Sequence, residues 1–331
     1  MTTPLRLIPV LEPIRPQMEQ VRRLLHEALT QVQEPLRAML RHSLDGGKQL
    51  RPALVILTGQ VFGAPPTAFQ RLAAAVDMLH AATLIHDDLV DGSPLRRGRE
   101  TLHVIWPAGA TVLAGDYLLG EATALIAELD NPRVLKVFAG ILRTMCAAEI
   151  KRVLAANGGA STPDPAPDRE DYYRNIEAKT ASLFAATLEM AAILAGVEER
   201  QIEALRRFGW ELGIAFQIVD DVLDFTGDEA RLGKPAGSDL RQGLITLPAL
   251  YYLEQAASQP NAVSAVLSGQ RDEAHVHAAI EAVCASGAIE AALAEARDHT
   301  QRGHAALTSL PDTPPRQILH ALADYLVDRT H

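Results

Sequence analysis

The chain has 331 residues, 48% of them apolar, and a formal net charge of -10. That length and composition support a sizeable core, and the acidic balance excludes a general nucleic-acid binder, since phosphate backbones require clustered Lys and Arg. Only two cysteines occur, Cys146 and Cys284, without metal-ligand spacing, which excludes a disulfide framework. Aromatics are 5% while Ala and Leu abound, a bias toward helix over sheet.

Met1 to Val10 carries one Arg and is broken by Pro4 and Pro9. It reads as neither a signal peptide nor a membrane span, so a cytoplasmic protein without a transmembrane segment is expected, with residues 1–16 an extended arm. Apolar Val21, Leu24, Leu25, Leu29 and Val32 predict a helix over Met18 to Arg41, kinked or interrupted at Pro35. Asp45-Gly46-Gly47 signals a turn before a helix over Arg51 to Gly63, with Pro52 in its first turn. Ala68 to Val90 is apolar on nearly every face, which marks a central, buried helix. Further helices are predicted over Leu113 to Leu129, Pro132 to Leu154, Asp171 to Gly196, Ile202 to Phe225 and Thr246 to Ala257, with shorter ones from Gln259 to near Arg329. Asn157 to Asp168, rich in Gly, Pro, Ser and Ala, reads as a surface loop. No strand run or short repeat is found. The expectation is one all-α domain over 1–331, a large helical bundle with a central apolar cavity.

Two acidic clusters end apolar helical runs: His86-Asp87-Asp88-Leu89-Val90-Asp91 and Asp220-Asp221-Val222-Leu223-Asp224. Residues i and i+4 share a helix face, so Asp87 points with Asp91 and Asp220 with Asp224. Paired carboxylates one turn apart repel each other, and a hard divalent cation resolves that conflict. Mg²⁺ suits such all-oxygen sites, taking one or two carboxylates, waters and substrate phosphate oxygens.

Basic residues accompany the acids. Gly46-Gly47-Lys48-Gln49-Leu50-Arg51-Pro52 sets two glycines before Lys48 and Arg51 at a helix start, where close backbone approach and the helix N-terminus favour anions. Arg96-Arg97-Gly98 follows the first cluster, and Arg forks match phosphate oxygens. Lys179-Thr180 lies mid-helix, and Lys234 follows the second cluster in Gly233-Lys234-Pro235. Each could alone be a solvated surface charge; the ordered set points to phosphate.

Together these motifs, with Phe216-Gln217 before the second cluster and Gly237-x-Asp239-Leu240 after it, resemble the trans-isoprenyl diphosphate synthases, or polyprenyl synthetases, from about Leu40 to the C-terminus. The resemblance implies an all-α bundle and a homodimer. It implies an enzyme that condenses an allylic diphosphate with isopentenyl diphosphate, using several Mg²⁺ ions to bridge diphosphate and acid clusters. By the same resemblance Asp87, Asp91 and Asp220 are direct metal ligands, supported by Asp88, Asp221 and Asp224. Arg96, Lys179, Gln217 and Lys234 hold the allylic diphosphate. Lys48, Arg51, His80 and Arg97 hold isopentenyl diphosphate, Thr180 and Gln217 sit near the developing cation, and His86 is structural.

The match departs at Leu244, where relatives commonly carry a Lys that touches diphosphate, and at Lys151 and Arg152, which are unusual beside Glu149. Ala82 and Thr83 stand about one turn before Asp87, where shorter-chain relatives place a bulky aromatic floor. A helix rises roughly 5 Å per turn, about one isoprene unit, so small Ala82 opens the pocket toward Leu79 and predicts a geranylgeranyl or longer product. Cyclases and head-to-head synthases of similar fold lack the Gly-Gly-Lys-x-x-Arg-Pro and Arg-Arg-Gly elements. Non-catalytic partner subunits lose acids from one cluster. Neither pattern fits this chain.

Overall fold

The computed structural model describes residues 9–47, 49–96, 98–156, 168–227, 236–256 and 261–328, with the backbone alone at 155 and 156. Lys48, Arg97 and Lys234, and the expected loop except Asp168, lie outside the described residues. Residues 9–16 are helical rather than the extended arm the prolines suggested: a 3-10 turn, Glu12–Ile14, buries Ile14 in the core and leads into α1, Arg15–Ala28. The helix expected over Met18 to Arg41 is two. Pro35 caps α2, Leu36–Leu44, since its ring suits a helix start and not an interior.

Next come α3, Leu50–Val61, and α4, Pro66–Val90, whose first helical residue is a proline. In α4 nearly every face is apolar, and most of its residues between Phe69 and Ile85 are buried, packed by α1, α3 and α6, Ala108–Ala127. A two-residue hairpin and the short helix α5, Leu102–Ile105, connect α4 to α6. The hairpin pairs β1, Leu95–Arg96, with β2, Arg99–Glu100, a pairing too short to register as a strand pattern. Helix α6 is long and apolar enough by length and composition to cross a membrane. One of its faces lies on α4, while Val112 and Leu113 on another are 39% and 67% exposed.

After α7, Pro132–Ala156, the single helix expected over Asp171 to Gly196 is three segments: α8, Arg169–Ile176; a π-turn, Glu177–Ala181; and α9, Ser182–Leu194. Asp168 caps α8 by accepting a hydrogen bond from Asp171 N at 2.7 Å. Helix α10, Glu199–Thr226, contributes Leu205, Phe208 and Leu212 to the core around α4, then Ile214, Ile218 and Val222 to a second cluster. That second cluster is completed by α11 (Ser238–Gln242), α12 (Leu247–Gln255), α13 (Ala262–Leu267), α14 (Glu273–Ala285) and α15 (Ala288–Leu307). The last helix, α16, Pro314–Asp328, packs on α3, α10 and α15. Helices α10, α15 and α16 each place residues in both cores, which joins the two into one all-α bundle.

Gly213 fixes how α10 meets its neighbour. A Cβ there would lie 2.5 Å from Ala181 Cα, so only glycine lets α10 press against the π-turn. Gly209 does the same one turn earlier, where a Cβ would meet Phe184 O at 2.6 Å.

Candidate active site

The last turn of α4 leaves three carboxylates at the edge of an apolar helix. Each has a cation from a different element. Asp88 is buried and takes Arg96 of the hairpin bidentately, with Arg96 Nε 2.7 Å from Oδ1 and 2.9 Å from Oδ2. Asp87 Oδ2 lies 3.1 Å from Lys179 Nζ on the π-turn. Asp91, which caps the helix, pairs with Arg152 of α7. Arg152 also binds Glu149 one turn back, and Glu149 Oε2 is 3.9 Å from Lys179 Nζ. Burial raises the Asp87 carboxyl; the Lys179 charge opposes this, and the charges of Glu149 and Asp91 add to it. At Glu149 burial acts upward too, but the hydrogen bond from Arg152 and the two cationic charges outweigh it and hold the group low.

The second cluster is built from inside. Asp221 and Asp224 are buried while Asp220 faces out, so the expected Asp220/Asp224 pair is divided: Asp224 turns inward, where the Asp239 backbone takes one of its oxygens. Tyr172 of α8 donates its hydroxyl to Asp221 Oδ2 at 2.6 Å, and Gln217 Nε2 donates to Oδ1 at 2.9 Å. Thr180 Oγ1 in turn donates to Gln217 Oε1 at 2.8 Å. Burial pushes Asp221 well up; Tyr172 opposes it, and the charges of Asp239 and Asp220 reinforce it. Asp224 Oδ2 accepts from Asp239 N at 3.1 Å, which ties α10 to the start of α11.

Consecutive residues therefore join the clusters. Lys179 reaches Asp87 and Thr180 reaches Asp221 through Gln217. An ordinary helix would splay two neighbours by about 100°, and the i→i+5 turn at Glu177–Ala181 changes where each points. Such turns concentrate at functional sites.

Arg51 stands in the first turn of α3, delivered by positive φ at Gly46 (107°), Gly47 (90°) and Gln49 (45°). Gln49 anchors this turn by donating to Asp77 Oδ2 at 3.1 Å and accepting from Arg22 at 2.9 Å. The Arg51 guanidinium lies 4.3 Å from the Phe184 ring centroid, a cation–π contact. His80 is half-buried on α4, and its carbonyl accepts from Thr83 Oγ1 at 2.8 Å. His86 lies against Gly115 of α6, where any Cβ would clash with its ring, and its Nε2 is 3.1 Å from Val112 O. Leu244 is 43% exposed.

Ala82 and Leu79 are fully buried and Thr83 half-buried. A separate groove of about 540 Å³ runs over α9 between α7 and α10, with Val137, Ile141, Ala185, Ile193 and Trp210 in its lining; Ala82, Thr83 and Leu79 do not line it.

Among the described residues, no three acids or histidines converge as a closed metal cage. The donors nonetheless fit Mg²⁺. They are hard oxygens, and the Asp87/Asp91 pair spans one turn at a helix end. The charges of Glu149 and Asp91 also act on Asp87, so negative charge gathers at this helix end. Mg²⁺ needs only one or two such carboxylates when a phosphate supplies further oxygens.

Tyr172 was missed in the sequence. Its signal was spacing: seven residues, two helical turns, before Lys179. Arg152 stood out only as unusual, because its partner Asp91 lies 61 residues away.

Residues 33–283 match the sequence model of the family described as Polyprenyl synthetase. The chain is 36% identical over 298 residues to heptaprenyl diphosphate synthase component 2 of Geobacillus stearothermophilus, spanning 90% of this chain and 91% of that one. It is 34% identical over 285 residues to octaprenyl diphosphate synthase of Escherichia coli (strain K12), spanning 86% of each. The crystal structure of a polyprenyl synthase from Caulobacter crescentus CB15, complexed with calcium and isoprenyl diphosphate, superposes with a TM-score of 0.88 at 36% identity, over 98% of both chains. With helix-borne acid clusters, an all-α bundle and a match over most of its length, the chain belongs to the polyprenyl synthetase family.

Proposed function

We propose that this chain is a Mg²⁺-dependent trans-prenyltransferase that condenses an allylic diphosphate with isopentenyl diphosphate, head to tail. It releases diphosphate and forms an all-trans polyprenyl diphosphate of geranylgeranyl length or longer. The observation that carries this reading is the Lys179–Thr180 pair, whose neighbouring side chains connect to opposite acid clusters. The Caulobacter relative, complexed with a divalent cation and isoprenyl diphosphate, supports it.

Asp87, Asp91 and Asp220 would hold Mg²⁺, which when bound supplies positive charge against the leaving diphosphate. Asp88, Asp221 and Asp224 stand behind them, fixed by Arg96, Tyr172 and the Asp239 backbone. Lys179, Gln217, Lys234 and Arg96 bind the allylic diphosphate, while Lys48, Arg51, His80 and Arg97 bind isopentenyl diphosphate. As the allylic C–O bond breaks, the hydroxyl of Thr180 and the amide of Gln217 orient dipoles toward the delocalised cation. The isopentenyl double bond attacks, and the released diphosphate takes the proton. The apolar interior below Asp87 excludes water that would quench the cation.

Small, buried Ala82 supports extension beyond farnesyl length, as do relatives named for heptaprenyl and octaprenyl products. The exposed apolar face of α6 supports a homodimer.

Asp87→Ala and Asp220→Ala should each abolish incorporation of radiolabelled isopentenyl diphosphate while the circular dichroism stays helical. Full activity in either variant sinks the proposal.

A further inference from the structure

Four carboxylates, Asp87, Asp88, Asp91 and Glu149, face three cations at the end of α4. Arg96 and Lys179 belong to the site proposed above; Arg152 has no role in it. Arg152 sits on the last turns of α7, half-buried, and its guanidinium spans Asp91 and Glu149. The Asp91 oxygen it holds belongs to the Asp87/Asp91 pair. A divalent cation at Asp91 and the Arg152 guanidinium therefore compete for one carboxylate. Lys179 occupies the matching place on Asp87, so Glu149 lies between two cations that flank the metal acids.

Displacing Arg152 from Asp91 does not send it into solvent. Glu149 still tethers it beside the cluster through their ion pair, which does not involve Asp91. A planar fork released next to a metal-bound anion matches two oxygens of a diphosphate. We propose that Arg152 is a movable cation of this site: it competes with the divalent ion for Asp91 and, once displaced, binds the diphosphate. The inference rests on the diphosphate-and-metal reading of the site. It assigns Arg152 a binding role in which metal occupancy and diphosphate binding are coupled through one side chain.

The test uses the full chain and two equilibrium measurements without turnover. Mn²⁺ binding without diphosphate is read from the electron paramagnetic resonance signal of the free ion. Inorganic diphosphate binding in saturating Mg²⁺ is read by calorimetry. Arg152→Gln should bind Mn²⁺ more tightly and diphosphate more weakly, each by about tenfold, the scale of one charge-assisted contact. Arg152→Lys, which keeps the charge but not the fork, should fall between Gln and wild type on both. Opposite signs separate this role from loss of structure, which would weaken both. Unchanged or weaker Mn²⁺ binding in Arg152→Gln overturns the competition, and unchanged diphosphate binding overturns the transfer. If the wild-type chain itself fails to bind diphosphate in Mg²⁺, the underlying site reading falls, an outcome distinct from either.

Discussion

Gly213→Ala tests whether the bridge between the acid clusters depends on the close approach of α10 to the π-turn. The new Cβ would sit 2.5 Å from Ala181 Cα and 3.2 Å from Ala181 Cβ. Carbon atoms rest at about 3.5–4.0 Å, so the backbones must part by about 1 Å. Overpacking of this kind costs about 1–3 kcal/mol, and the helix preference of Ala over Gly returns roughly 0.5–1 kcal/mol. A net loss of about 1–2 kcal/mol is therefore expected in urea denaturation. The effect on chemistry is larger. Thr180 donates to Gln217 at 2.8 Å and Gln217 to Asp221 at 2.9 Å, so a shift of about 1 Å breaks the relay. A misplacement of that size costs about 100-fold in turnover. Gly140→Ala on α7 is the control: nothing lies within 4 Å of its added Cβ, and it should stabilise by about 0.5–1 kcal/mol. Gly213→Ala with wild-type stability and full isopentenyl incorporation would refute the packing argument.

Ala82→Phe should shorten the product ladder, read by reversed-phase separation of dephosphorylated products; an unchanged ladder counts against Ala82 as part of the pocket. Tyr172→Phe removes the buried donor to Asp221 Oδ2 and should cost about 1–3 kcal/mol by denaturation, with a raised Mg²⁺ requirement. Equal stability and metal response would show that Asp221 does not depend on that hydroxyl. The pH prediction concerns Asp87, whose carboxyl is raised by burial against the opposing charge of Lys179. The folded protein keeps a proton there that the unfolded chain has lost, so this group's contribution is complete below the ordinary aspartate value of about 4 and fades as pH rises through the folded value. In chelator, the stability of wild type relative to Asp87→Asn should fall over the window that opens at about pH 4 and runs upward. A difference that grows over that window would show that the ion pair outweighs burial.

Local pattern carried the fold far. The apolar surround of Ala68 to Val90 marked the buried centre, and the placing of acids at the ends of two such helices marked the site. Periodicity also gave helices close to α7 and α10. It failed where a break leaves no compositional trace. The π-turn at Glu177–Ala181 continues the helical spacing of the residues around it, and the helical residues 9–16 carry prolines that also suit extended chain. The N-terminal segment is helical because Ile14 has a core to enter, which is a fact about other helices.

The site divides the same way. Acid type, spacing and the ordered basic set are properties of the sequence, since residues i and i+4 stand one turn apart on any helix. Partner choice is not. Asp91 meets Arg152 across 61 residues and Asp221 meets Tyr172 across 49. The sequence by itself determined that two acid clusters would end apolar helices, with basic residues in a set order along the chain around them. Only the tertiary structure decided which cation each carboxylate holds, because glycine contacts such as Gly213 against Ala181 set how closely the helices approach.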